Sequence, residues 1–389
     1  GLFRMTSMGL SYLHACFHKR PEKTLEDFMV NRFGEKLYQT FFEGYTEKVW
    51  GKSPKNLSAD WGSQRIKGIS IGAVLKDFFQ RALHLQQKKV ETSLIERFSY
   101  PKYGPGEFYE CLRDEVLGLG GEIRMNADTI GFTGGEDKNI TAVLYRDGKG
   151  KTQKVKADYV LSSMAVKDLA AALPEGWLDE KDKETAQTLP YRDFMTAGLL
   201  VDRLELQNHT HHRTLNNIVP DCWIYIQEPE VKIGRLQIFN NWSPYMVKDS
   251  LHTVWIGLEY FCQEGDDLWS MKDEDFLRFA EQELVKIHVL RKGAVKEGHV
   301  VHMKKAYPAY YGSYKDFPRL QQSLDTISNL YCIGRNGQHR YNNMDHSMLT
   351  AIRAVELIQN QSTDKSSLWN VNTESDYQEI KEEDRNSEK

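Results

Sequence analysis

Near its C-terminus the chain runs from an apolar strand into a glycine, then a polar loop, then a helix: Asn329-Leu-Tyr-Cys-Ile-Gly334, the loop from Arg335, and a helix beginning near Asp345. A glycine at that point lets backbone approach a ligand with no side chain between them. The helix that follows presents unpaired N–H groups and a partial positive charge at its start. That end suits the electron-rich edge of a bound cofactor, and Arg335 beside it can make a charge-assisted contact with a phosphate oxygen. The same spacing also fits any α/β loop that ends in glycine, so the residues alone leave both readings open.

The 389 residues, 40 % apolar and 27 % charged, describe a globular protein with room for more than one domain. A net charge of −4 gives no reason to expect nucleic acid as a partner. No apolar run approaches the roughly 18–20 residues of a membrane span. The first 17 residues interrupt their apolar positions with Arg4, Ser7, Ser11 and His14, unlike a signal peptide. Five cysteines, odd in number and far apart, point to free thiols in a reducing compartment, and a cytoplasmic location is expected.

Along the chain, residues 1–92 read as helical. Thr24 is a cap for a helix with Glu26 and Asp27 in its first turn, Ser58 and Asp60 open another, and a third candidate spans 71–86. Residues 94–100 look like a strand, and 107–119 a helix ended by Gly120 and Gly121. β-rich segments follow at 122–125, 128–132, 140–146 and 151–162, then at 195–201, 222–227, 235–239 and 253–261. A helix at 273–287, strands at 299–307 and 329–334, and a helix at 345–358 complete the pattern, before a polar acidic tail expected to be poorly ordered. The expected fold class is mixed α/β with two interleaved domains, one mostly sheet and one mostly helical. The expected divisions are a helical cap (1–92), β-rich segments (93–190), a sheet and helix (191–315), a strand–loop–helix (316–360) and a flexible tail (361–389).

The segment 334–347 resembles the C-terminal FAD motif of the amine-oxidase, protoporphyrinogen-oxidase and carotenoid-desaturase superfamily and of its relative UDP-galactopyranose mutase. Three other stretches carry the likeness. Tyr100-Pro-Lys-Tyr-Gly-Pro-Gly, followed by Gly120-Gly-Glu-Ile-Arg-Met-Asn126, is similar to the element that returns that fold to its FAD domain. Asp158-Tyr-Val-Leu-Ser-Ser163 looks like the strand before the loop near the adenosine half. Phe33-Gly-Glu-Lys-Leu-Tyr38 and Tyr45-Thr-Glu-Lys-Val-Trp50-Gly51 look most like the mutase branch. The fold implied is a Rossmann-like FAD-binding domain interleaved with a substrate domain of antiparallel sheet and helices. No G-x-G-x-x-G turn stands in a strand–turn–helix context here, so the FAD domain is expected to be truncated at its N-terminal side.

The resemblance implies FAD as cofactor, with Gly334, Arg335, Asn336, Asn343, Met344, Asp345, Thr129 and Ser163 around it. It implies a small-molecule substrate near Trp50, Arg65, Tyr310 and Tyr341; for a mutase that substrate is a nucleotide sugar. The phosphate-binding arginine of the mutase's mobile loop falls near Ile69, a departure from that branch. Lys304-Lys-Ala-Tyr307-Pro308 looks like the "AYP" strand of the oxidases, so Tyr307, His339 and Tyr341 are the catalytic candidates. The main expectation is an FAD-dependent oxidoreductase that passes hydride between substrate and flavin N5. The alternatives are a mutase-like enzyme without net redox and a non-catalytic binding protein that has lost FAD.

Overall fold

The computed structural model describes residues 2–59, 61, 62 and 98–372. The helix expected at 71–86, most of the strand expected at 94–100, Arg65 and the last residues of the tail lie outside them.

The N-terminal part is helical. Thr24 caps the helix Leu25–Phe33 through a capping box: its hydroxyl accepts from the Asp27 N–H, and the Asp27 carboxylate accepts from the Thr24 N–H at 3.1 Å. Leu25, Phe28 and Phe33 fall on the buried face of this helix and join Trp50, Phe261, Tyr307, Tyr310 and Tyr341 in one aromatic core. That core draws on the first helices, two sheet strands and the Gly334 loop, which places the loop at their meeting point.

Four short strands follow: β1 (Asp128–Gly134), β2 (Ile140–Arg146), β3 (Thr152–Lys156) and β4 (Val160–Ser162). The first three form an antiparallel sheet. The segment expected as one run over 151–162 breaks at Ala157-Asp-Tyr159, because β3 pairs with β2 while β4 changes partner and pairs in parallel with a late strand. Residues 122–125, expected to be β-rich, form no strand; they are exposed, and no ladder partner faces them among the described residues.

The largest sheet contains β5 (Tyr191–Val201), β6 (Trp223–Tyr225), β7 (Arg235–Ile238), β8 (Val254–Cys262) and β9 (Val295–Pro308), ordered β6-β7-β8-β5-β9 and antiparallel throughout. β5 alternates buried and half-buried residues along its whole length, the period of a strand with one face on a core. Met195, Ala197 and Leu199 on that face pack with Phe276, Ala280 and Leu284 of the helix Asp273–Lys286.

A β-bulge interrupts the β5–β9 pairing between Arg192 and Phe194, where Lys305 takes a left-handed φ of 54°. Asp193, 3 % exposed, pins it: its carboxylate accepts the Lys305 N–H and the Glu264 N–H, each at 2.6 Å. Asp193→Asn keeps the shape but removes the charge and one acceptor. We expect it to cost about 1–2 kcal/mol in chemical denaturation, with unchanged stability as the contrary result.

The chain ends with β10 (Leu330–Cys332), parallel to β4, the Gly334 loop and the helix Met344–Gln359. Residues 361–372, expected as part of a flexible tail, instead form a packed segment. Leu368 and Trp369 are buried, the Trp369 indole N–H donates to Asp325 at 2.9 Å, and Lys365 Nζ donates to the Ile327 and Leu330 carbonyls. Three buried apolar side chains, Leu368, Trp369 and Val371, dock this otherwise polar stretch. The architecture is thus mixed helices and antiparallel sheets with one parallel pair, as the fold class required. No described helix is long and apolar enough to cross a membrane.

Candidate functional site

The site is built where β10 meets β4. The Ile333 N–H donates to the Ser162 carbonyl at 2.9 Å, extending the parallel pairing by one bond. Gly334 then turns with φ +72°, its N–H held by the Thr350 hydroxyl at 2.8 Å. Gly334 is buried, yet a Cβ built on it would have only the Ser163 Cβ within 4 Å, at 3.8 Å, so a small unfilled space lies beside it. Gly337 is the opposite case: its Cβ would lie 2.5 Å from the Ser162 carbonyl oxygen, so only glycine lets the loop rest on β4. Gly334 and Ser163, far apart in sequence, are brought together.

Arg335 and Asn336 tie this loop to the β9 bulge. Arg335 donates from Nε to the Asn342 carbonyl at 2.8 Å and from Nη1 to the Ala306 carbonyl at 3.0 Å. Its guanidinium sits 5.3 Å from the Tyr307 ring centre and 4.9 Å from that of Tyr341. Asn336 donates to the Lys305 carbonyl at 3.1 Å, while its buried Oδ1 has no partner among the described residues. Asn343 caps the last helix in a capping box with His346. Met344 is 46 % exposed beside the cap, and the Asp345 carboxylate lies 3.3 Å from His346. Thr129 stands on β1 opposite Tyr145 and makes no hydrogen bond with the Gly334 loop among the described residues.

The ring cluster adjoins Arg335. Tyr307 and Tyr341 stack at 5.2 Å with planes 18° apart, and Trp50 lies 6.5 Å from Tyr341 and edge-on to Trp61. Among the described residues the buried Trp50 indole N–H has no hydrogen-bond partner. Tyr310 is deeper: 2 % exposed, it accepts the Tyr341 N–H at 2.6 Å and supports the loop from beneath.

His339 stands apart from Tyr307. It is 1 % exposed in a left-handed conformation, boxed by Tyr191, Tyr314 and Phe317. Its Nε2 is 3.2 Å from the Ala309 carbonyl, which can only accept, so that nitrogen carries the hydrogen. Burial pushes its pKa down to about 4.

Sequence reading missed a second charged group in this cluster. Arg235 and Glu259, on neighbouring strands, form a buried ion pair; Gln237 braces the carboxylate at 2.5 Å, and Arg235 Nη2 donates to the Tyr307 phenol at 2.8 Å. Burial opposes the charge on Arg235, but Tyr307 and Glu259 outweigh it and keep the guanidinium protonated. Burial pushes the Glu259 carboxyl above its ordinary range, with Arg235 and Gln237 pulling back. Burial likewise pushes the Tyr307 phenol up to about 12. The available signal was one arginine and one glutamate inside strands otherwise rich in buried apolar residues.

No family model matches the sequence. The structure is similar to reduced UDP-galactopyranose mutase, with 16 % identity, a TM-score of 0.73, and 98 % of this chain covering 78 % of that one. It is also similar to a protoporphyrinogen oxidase-like protein from Exiguobacterium sp. 255-15, at 16 % identity and TM-score 0.60, over 92 % of this chain and 72 % of that one. Cyclohexylamine oxidase from Brevibacterium oxydans IH-35A aligns at 11 % identity and TM-score 0.51, over 87 % of this chain and 70 % of that one. The chain thus shares the fold of UDP-galactopyranose mutase and of these oxidases.

Proposed function

We propose that this protein is an FAD-dependent enzyme of the amine-oxidase-like class acting on a small molecule, with hydride passing between substrate and flavin N5. The observation that carries this reading is the unfilled space beside the left-handed Gly334, between the start of the helix Met344–Gln359 and the stacked Tyr307 and Tyr341. The residues fit the cofactor: the glycine leaves room, and Asn336 Oδ1 is a buried acceptor with no donor among the described residues. In this reading Gly334, Asn336, Asn343, Met344 and Asp345 hold the flavin end, and Ser163 and Thr129 lie toward the adenosine half. Arg335 has two donors committed to backbone carbonyls, so it shapes the loop and stacks on the tyrosines rather than gripping a phosphate.

Bound flavin supplies a two-electron acceptor or donor. The chain's own residues supply orientation and charge. The N-terminus of the helix Met344–Gln359 offers a partial positive charge toward the cofactor edge. The Tyr307 oxygen accepts from Arg235, which leaves the phenolic proton free to donate to substrate. The rings of Trp50, Tyr307 and Tyr341 exclude water from one side of the site.

A mutase-like reaction on a nucleotide sugar, without net redox, is a second reading. It is favoured by the likeness of the fold to that of UDP-galactopyranose mutase. Reconstitution with FAD tests the shared premise: retained absorption near about 370 and 450 nm after desalting is expected. A colourless protein that leaves the FAD spectrum unchanged would sink both readings and favour a non-catalytic binding protein. Incubation of the reduced enzyme with UDP-sugars separates the two, since ring isomerisation without electron consumption selects the mutase. Gly334→Ala forces a left-handed alanine, so it should cost about 1–2 kcal/mol of stability. FAD retention should also fall in that variant; full retention at wild-type stability would remove Gly334 from the site.

A further inference from the structure

The packed segment 365–372 crosses from the start of β10 to the Gly334 loop. At one end Lys365 Nζ donates to the Ile327 and Leu330 carbonyls, each at 2.8 Å, and Trp369 lies edge-on to Phe317 at 6.1 Å. At the other end it meets the loop in a set of hydrogen bonds. Gln338, 1 % exposed, donates from Nε2 to the Leu368 carbonyl at 2.9 Å and to the Cys332 carbonyl at 3.2 Å. Arg340 donates to the Val371 carbonyl at 3.2 Å. Asn372 donates from Nδ2 to the Tyr341 carbonyl at 3.2 Å and to Asn342 Oδ1 at 3.1 Å.

These contacts fix one another. Both partners of Gln338 Nε2 are carbonyls, so Oε1 is the end that faces Asn342 Nδ2, 3.3 Å away. That leaves Asn342 Oδ1 to accept, and Asn372 presents its NH2 to it. Asn342 Nδ2 also reaches the Gly334 carbonyl at 3.5 Å, and the Asn342 carbonyl receives Arg335 Nε. A chain of buried amides thus runs from Asn372 to Gly334 and to the backbone that carries Tyr341. An irregular loop has no ladder to satisfy its carbonyls, and the segment supplies donors in its place.

We propose that segment 365–372 is a latch, with Asn372 its positioning residue, that holds Gly334 and Tyr341 in the geometry of the candidate site. Its hold on the loop stands on these contacts alone; its effect on flavin rests on the reading that the cofactor lies beside Gly334. By linkage, a ligand that binds the latched loop tightens the latch, and releasing the latch weakens that ligand by the same factor.

The test is hydrogen exchange read by mass spectrometry, with and without FAD, on the wild type and three variants. Asn372→Asp keeps the size and tolerates the left-handed φ of 63°, but sets acceptors against the Tyr341 carbonyl and Asn342 Oδ1. Asn372→Gly removes the donors without adding charge. Ser367→Asp, at an exposed position of the same segment, adds the charge alone. Without FAD, both Asn372 variants should speed exchange over residues 334–343 at least about tenfold, while β8 changes less than about twofold. Ser367→Asp should change neither. With FAD, exchange over 365–372 in the wild type should slow at least about fivefold, and the FAD Kd should rise at least about fivefold in both Asn372 variants. Unchanged loop exchange in those variants, or equal acceleration of β8, overturns the proposal. So does an unaltered FAD affinity in a variant whose loop exchange has risen. A wild-type protein that takes up no FAD overturns the flavin reading instead, and loop exchange without FAD still decides the latch.

Discussion

Arg235→Ala should lower the unfolding free energy by about 3–5 kcal/mol, the largest single-residue effect expected in this protein. Arg235 and Glu259 are both nearly excluded from water, so removing the guanidinium leaves a buried carboxylate with Gln237 as its remaining side-chain donor. The Tyr307 phenol loses its donor as well. The size of the effect should depend on pH. Burial already raises the folded pKa of Glu259 above its unfolded value, and losing Arg235 raises it further. A carboxyl with a raised folded pKa contributes stability below its unfolded pKa and loses it as pH rises through the folded value. The variant's deficit should therefore shrink as pH falls toward the ordinary carboxyl range. Denaturant titrations of the wild type, Arg235→Ala and Arg235→Met/Glu259→Leu measure this. Replacement of the whole pair by apolar residues should recover most of the loss; a double variant as unstable as the single one would show that the charge pair is not the cause.

His339 should produce the second large effect, of opposite sign in pH. Its folded pKa of about 4 lies below the unfolded value of 6.5, so the folded state resists protonation. The neutral ring contributes stability that is fully present above about pH 6.5 and is lost as pH falls through about 4, by about 3 kcal/mol in all. His339→Asn tolerates the left-handed backbone and carries no proton to titrate. That variant is expected to be weaker at neutral pH, yet to lose less stability on acidification. Parallel pH curves for wild type and variant would mean that His339 is not held neutral. Because the two groups act in opposite directions, only the difference between each variant and the wild type isolates its contribution.

Much of the local structure was legible because it is written in short-range terms. The Thr24 cap, the helix ended by Gly120 and Gly121, and the β-rich segments of the large sheet each depend on residues within one or two turns of one another. The Gly334 turn was legible for the same reason: a strand, a glycine and a helix start are adjacent in the chain. Where the sequence misled, a distant partner decided. Residues 122–125 have strand-like composition but no ladder to join, and 361–372 look like a tail until Trp369 finds Asp325. Composition reports what a segment can bury, not whether a surface is waiting for it.

The sequence by itself determined the class of fold and the segment around Gly334, because glycine, strand and helix start constrain backbone directly. Only the tertiary structure decided how that segment is held. Asp193 fixes a bulge whose Lys305 and Ala306 carbonyls receive Asn336 and Arg335, and Arg235 meets Glu259 and Tyr307 across three strands. These contacts join residues far apart in sequence, with no local period to announce them, and a buried charge is recognised only when its partner is in place.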